Sequence, residues 1–242
     1  MFMSDPTLLE SILKETQDSS KNRGQSAAIF DLDSTIFNVS TRTQVILRHF
    51  ASQPEVQQRF PKEAEQLASV ETCPRDWGIK DCLQRLQIQS TVDFFFEVRD
   101  FWVKHFFSND FLDHDQPYPG SIEFVQTLYK SGLRIEYLTG RDRPRMGEGT
   151  LRVLKKWDLP LDQPPPPQLR MKPQPNLSDT DFKVEELKNL KEQFSQIYFF
   201  ENEPVIIEQV EQHCPGVNII FIDTVHSKRA APPLHLPRIE LK

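Results

Sequence analysis

Two apolar periods alternate along the chain. Residues 26–33, SAAIFDLD, form a continuous apolar run that ends in Asp31 and Asp33 with one leucine between them. Such a run predicts a buried strand, and strict alternation would point both carboxylates the same way. From residue 39 to about 117 the period changes. TRTQVILRHF, PKEAEQLASV and KDCLQRLQI space apolar residues three or four apart, and TVDFFFEVRDFWVKHFFSNDFL predicts a longer helix, apolar on most sides. Tyr118-Pro119-Gly120 then breaks the chain, and SIEFVQTLYKSG predicts a helix with Ser121 as its cap and Gly132 as its stop.

Beyond that point strands and helices take turns. LRIEYLT, LRM, QIYFFEN and VNIIFIDT predict strands; GTLRVLKKWD, DFKVEELKNLKEQF and EPVIIEQVEQHC predict the helices between them. Five strands separated by helices imply an α/β fold, a three-layer α/β/α Rossmann-like core around a parallel sheet. The all-helical stretch reads as an inserted subdomain. The expected division is an N-terminal helix and linker over 1–25, a core of 26–39 and 118–242, and a helical cap over 40–117. Within the first segment, Asp5 caps a helix over 5–17 that shows a Leu8, Leu9, Ile12, Leu13 stripe. PPPP at 164–167 is a stiff connector, and the proline-rich C-terminal end predicts no regular structure.

Composition narrows the classes. With 38% hydrophobic and 26% charged residues, the 242-residue chain reads as folded and large enough for a full core. A net charge of −6 makes a nucleic-acid partner a poor expectation. No apolar run approaches the roughly 20 residues that span a bilayer. The first residues lack a basic stretch leading into an apolar core, so no signal peptide is expected. Cys73, Cys82 and Cys214 are odd in number and form no CxxC pair, which suits reduced thiols in the cytoplasm.

In open α/β sheets ligands bind at the carboxyl ends of the strands. Those ends carry Asp31 and Asp33, then Thr139, Gly140 and Arg141, then Lys172 with Lys183 at the start of the next helix, then Glu201, Asn202 and Glu203. The set suits phosphoryl transfer. Asp31 would be a nucleophile that takes up the phosphoryl group, and Asp33 the acid and base. Thr139 and the Gly140 amide would hold phosphoryl oxygens, and a lysine would neutralise them. Mg2+, a hard cation that takes oxygen ligands, would offset the carboxylates. Lys183 has the helix-start context and is assigned as the catalytic lysine; Lys172, like Arg141, is left as a contact to the anionic substrate. Glu203, just before Pro204, is expected to cap the following helix.

FDLDST, YLTGRD, the lysine of DFKVEEL and the acidic cluster FFENEP occur in an order and spacing that resemble the haloacid dehalogenase-like hydrolase superfamily over residues 27–225. The resemblance implies a cap inserted after the first motif. It also implies the phosphatase branch, since dehalogenases of the superfamily lack the second aspartate and need no metal. A Mg2+ site of Asp31, Asp33 and Glu201 follows from it, with Glu201 standing where an aspartate is usual and Asn202 where the second would be. The implied function is Mg2+-dependent hydrolysis of a small phosphomonoester through an aspartyl-phosphate. The alternatives are a nucleic-acid 3′-phosphatase, which the TGR sequence favours, and a degenerate phospho-ligand-binding member, which the ENE cluster favours.

Overall fold

A computed structural model describes residues 6–18, 26–163 and 168–240. The Asp5 cap, the linker over 19–25 and the four prolines at 164–167 lie outside the described residues. Six parallel strands make the main sheet in the order β5-β4-β1-β6-β7-β8. They are β1 (Ser26–Phe30), β4 (Arg134–Asp142), β5 (Leu169–Lys172), β6 (Gln196–Glu201), β7 (Asn218–Asp223) and β8 (Arg238–Glu240). Helices connect them: α7 (Ser121–Lys130) leads into β4, α8 (Arg143–Lys156) into β5, α9 (Asp179–Lys191) into β6 and α10 (Pro204–His213) into β7. The α/β class with a parallel sheet is therefore as expected.

The central strand explains why the run SAAIF is apolar throughout. All five residues of β1 are buried between β4 and β6. Ala28 and Phe30 face one apolar layer, with Leu128, Ile135 and Phe200; Ala27 and Ile29 face the other, with Leu187, Phe199 and Val210. A sheet covered on both faces needs apolar residues at every position rather than every second one. Phe30 stacks on Phe200, with ring centroids 4.4 Å apart, and both meet the edge of Phe124 from α7. The N-terminal helix α1 (Pro6–Asp18) adds Ile12 to the first layer, and Tyr198 of β6 donates its hydroxyl to Glu15 at 2.6 Å.

Four details differ from the sequence expectation. The proline-rich end supplies a sixth strand: β8 is only three residues long, too short to show a period, and it is held on β7 from Phe221 to Asp223. Helix α8 starts six residues before the expected Gly149. Asp142 caps it by accepting the Arg145 amide at 3.0 Å and Pro144 fits its first turn, whereas Gly147 and Gly149 inside it mask the helical pattern. Ser121 does not cap α7. Gly120 occupies the cap position, and the Ser121 hydroxyl donates instead to the Ile36 carbonyl at 3.1 Å. The long aromatic helix stops at Phe106, and a separate 3-10 turn covers Leu112–His114.

Between β1 and α7 the chain forms α2 (Ser40–Ala51), α3 (Pro54–Arg59), α4 (Pro61–Ala68), α5 (Gly78–Arg85) and α6 (Val92–Phe106). These helices bury an apolar cluster of their own, including Leu47, Phe50, Leu67, Cys82, Phe94 and Val98. The chain leaves and re-enters the core through a small antiparallel ladder of β2 (Phe37–Asn38) and β3 (Gln116–Pro117). Among the described residues no helix is long and apolar enough to cross a membrane.

Replacing Phe30 by alanine would open a cavity in the centre of the first layer, directly behind Asp31. The expected loss of unfolding free energy in urea is about 3–5 kcal/mol. A loss below about 1 kcal/mol would show that the strand is not packed as described.

Candidate active site

The strand pattern does not carry Asp33 alongside Asp31. Regular pairing ends with the Asp31 amide, which donates to the Phe200 carbonyl at 3.0 Å. The chain then coils: the Leu32 carbonyl accepts the amides of Ile36 and Phe37, and Ser34 sits in the left-handed region at φ 63°. The Thr224 hydroxyl fastens the turn from β7 by donating to the Ser34 carbonyl at 2.5 Å. Asp31 and Asp33 thus reach one cavity from different sides of a turn, each with its own partners.

Asp31 is buried, and Lys183 of α9 donates to it at 2.6 Å and to Glu201, at the end of β6, at 2.7 Å. The three side chains form a buried ion triad. Burial raises the Asp31 pKa against the pull of the ammonium, and pushes Glu201 up to about 7. Burial works to lower the Lys183 pKa, but the carboxylates of Asp31 and Glu201 outweigh it and hold the ammonium charged. Both Glu201 oxygens accept hydrogen bonds. Oε2 faces Lys183, and Oε1 accepts the amides of Asn202 and Glu203, each at 3.0 Å.

Asp33 has different company. Arg42 of α2 donates to it at 2.9 Å, and Arg141 of β4 reaches both its oxygens through Nε at 3.2 Å. The same guanidiniums straddle Asp115, which is fully buried: Arg141 donates to it at 2.6 Å, and Arg42 Nε is 2.9 Å from its other oxygen. Burial acts to raise the Asp33 pKa, yet the charges of Arg141 and Arg42 win and hold it well below the usual carboxylate range. For Asp115, deeper in, burial wins and its pKa is raised. Neither Arg42 nor Asp115 was a sequence candidate. The one available signal is an arginine four residues before Ile46 on an otherwise apolar helix face.

The remaining candidates divide. The ladder between β4 and β5 skips from Thr139 to Asp142, and this bulge turns Arg141 inward to Asp33. Gly140 lines the cavity, and a Cβ there would lie 2.6 Å from Asp179 Oδ2, so that carboxylate would have to shift. Thr139 is completely buried and its hydroxyl accepts the Arg141 amide at 3.2 Å. Lys172 does not line the cavity. Its ammonium closes the loop into α9 through Asp179 at 2.6 Å and the carbonyls of Pro175 and Leu177. Arg143 and Arg145, which follow Arg141 in the basic run, are exposed. Glu203 holds the cap position of α10 without a side-chain cap; its carboxylate accepts the amide and hydroxyl of Ser227 instead.

The cavity has a volume of about 420 Å³. Asp31, Asp33, Lys183, Glu201 and Asn202 form its core-side floor, and Trp77, Trp102 and Phe106 of the helical insertion form the opposite wall. Among the described residues no three His, Cys, Asp or Glu side chains are grouped as a metal cage. Mg2+ does not require one, since it is commonly held by one or two carboxylates, with substrate phosphate and water completing the shell. The oxygen donors of Asp31, Asp33, Glu201 and Asn202 suit such an ion: Glu201 Oε2 accepts only from Lys183 and keeps a lone pair.

The profile of the haloacid dehalogenase-like hydrolases matches residues 25–208, and no curated protein sequence matches the chain. Among solved structures, protein tyrosine kinase A of Mycobacterium tuberculosis is similar, with 11% identity over 90% of this chain and 94% of that one and a TM-score of 0.53. A haloacid dehalogenase-like family hydrolase of Streptococcus pneumoniae shares 14% identity over 81% and 83%, with a TM-score of 0.44. A HAD hydrolase of family IA from Entamoeba histolytica shares 14% over 82% and 84%, with a TM-score of 0.43. At such identities structural likeness speaks to fold alone. The profile covers most of the chain, including Asp31, Lys183 and Glu201, and the chain belongs to the haloacid dehalogenase-like hydrolases.

Proposed function

We propose that this hydrolase cleaves small phosphomonoesters in the cytoplasm through a phosphorylated Asp31. The observation that carries the proposal is the placement of Asp31: it ends the central strand, opens on the cavity, and lies 2.6 Å from a buried ammonium. Lys183 keeps the carboxylate ionised and oriented, and its charge also offsets that of incoming phosphoryl oxygens. One Asp31 oxygen attacks phosphorus while the bond to the alcohol oxygen breaks, and the Asp33 carboxyl supplies the proton that the leaving oxygen needs. Water then attacks the aspartyl-phosphate, Asp33 takes its proton, and phosphate departs with the Asp31 carboxylate restored. The Gly140 amide, in the floor of the cavity, suits the phosphoryl oxygens. Mg2+, which Asp31, Asp33 and Glu201 would hold with Asn202 beside them, would supply positive charge that offsets the nucleophile and the phosphate. Glu201 acts here as the counter-ion of Lys183, and Lys172 as a brace for the loop into α9.

The clamp on Asp33 divides its two duties. Between Arg42 and Arg141 it is ionised, the form that accepts a proton from water. Donation to the leaving oxygen requires the carboxyl to leave the guanidiniums. That same clamp favours a second reading, in which the protein binds a phosphorylated ligand without turning it over.

Phosphate release from a panel of phosphomonoesters separates the two, and Mg2+-dependent turnover eliminates the second. Asp31→Asn is expected to lower kcat by on the order of 10³ or more with the fold retained by circular dichroism; normal turnover would refute the nucleophile assignment. Lys183→Met is expected to lower kcat by about 10²–10³. Lys172→Met should instead lower the melting temperature, with kcat falling by less than about tenfold. Chelation by EDTA should abolish turnover and added Mg2+ restore it; full activity in EDTA would remove the ion from the reaction.

A further inference from the structure

The wall facing the carboxylates is aromatic, and it was not built only to fill the helical insertion. Trp77 is 50% exposed, an unusual state for an indole, and it lines the cavity. After it Gly78 turns at φ 71°, where a Cβ would meet the Trp102 ring at 3.7 Å. Trp102 in turn stacks on Phe106, with centroids 4.4 Å apart and planes at 29°. Both rings are half-buried and line the cavity. Three aromatic rings, from the last turns of α6 and the loop before α5, thus line one cavity.

Two polar groups of that wall are already satisfied. The Trp102 indole nitrogen donates to the Thr43 hydroxyl at 3.1 Å, and the Asp76 carboxylate is taken by Arg85 and the Cys73 amide. A sugar would find few hydroxyl partners there. A flat ring would find a surface of its own kind, offering offset or edge contacts.

The position of the wall sets where that ring must be. The Arg42 guanidinium lies over Phe106 at 4.0 Å and donates to Asp33 at 2.9 Å. The aromatic surface therefore begins beside the group assigned to the leaving oxygen. Taking the phosphomonoester reading as its basis, we infer that the site selects phosphomonoesters whose alcohol carries an aromatic ring within one or two bonds of the ester oxygen, with Trp77 and Trp102 as the specificity-determining residues.

Calorimetric titration with two unreactive phosphonates, benzylphosphonate and ethylphosphonate, in the presence of Mg2+, reads this preference without turnover. The wild-type protein is expected to bind benzylphosphonate about tenfold more tightly. Trp77→Ala, at an exposed position that should not disturb folding, is expected to reduce the preference to within about threefold, and Trp77→Phe to keep most of it. Equal affinities, no binding of either compound, or an unchanged preference in Trp77→Ala would overturn the inference. Hydrolysis of benzyl phosphate is scored separately. If benzylphosphonate binds with the expected preference while benzyl phosphate is not cleaved, the aromatic subsite stands and the phosphatase reading falls.

Discussion

The buried triad of Asp31, Lys183 and Glu201 is the constraint around which the rest of the site is arranged. Two carboxylates at the ends of neighbouring strands cannot both stay ionised in a low-dielectric interior without a cation between them. Lys183 supplies it, one turn into α9, and touches both at under 3 Å. This requires α9 to pack across the strand ends with Phe182, Val184 and Leu187 in the second apolar layer. It also requires β1 and β6 to be neighbours, as their register from Ser26 to Phe30 makes them. Sheet order, helix placement and the position of Asp31 are thus parts of one electrostatic solution.

A second cluster, Asp33 with Arg42, Arg141 and Asp115, ties the helical insertion to the core. Its members come from α2, β4 and the returning segment before β3. Nearby, the Thr41 hydroxyl donates to the His114 carbonyl, and Arg152 of α8 pairs with Asp113. The insertion is therefore fastened to the core next to Asp33. Arg42 also lies over Phe106 of α6, so one side chain touches both Asp33 and the aromatic wall.

The core was legible from sequence because its strands are short apolar runs between helices, and the catalytic candidates sit where such strands end. Asp31 and the choice of Lys183 over Lys172 illustrate the limit. Lys172 ends β5 and Lys183 opens the next helix, and the helix-start context favours Lys183 without showing which ammonium turns toward β1. The rise of α9 and the competing acceptor Asp179 decide it. Arg42 and Asp115 were illegible for a related reason: they lie 73 residues apart in the chain, and side-chain periodicity reports only local neighbours. The sequence places Glu201 at a strand end but does not show its partners. Its backbone amide partners, which consume one oxygen, depend on the turn into α10.

The central claim is that Asp31 becomes covalently phosphorylated. The most direct measurement is acid quenching of the protein during turnover of a phosphomonoester, borohydride reduction, and peptide mass spectrometry. Reduction of an acyl phosphate at Asp31 converts that residue to homoserine, and this modification at residue 31, dependent on substrate, is the predicted result. Phosphate release with Asp31 unmodified, or with the modification at another carboxylate, would contradict the account.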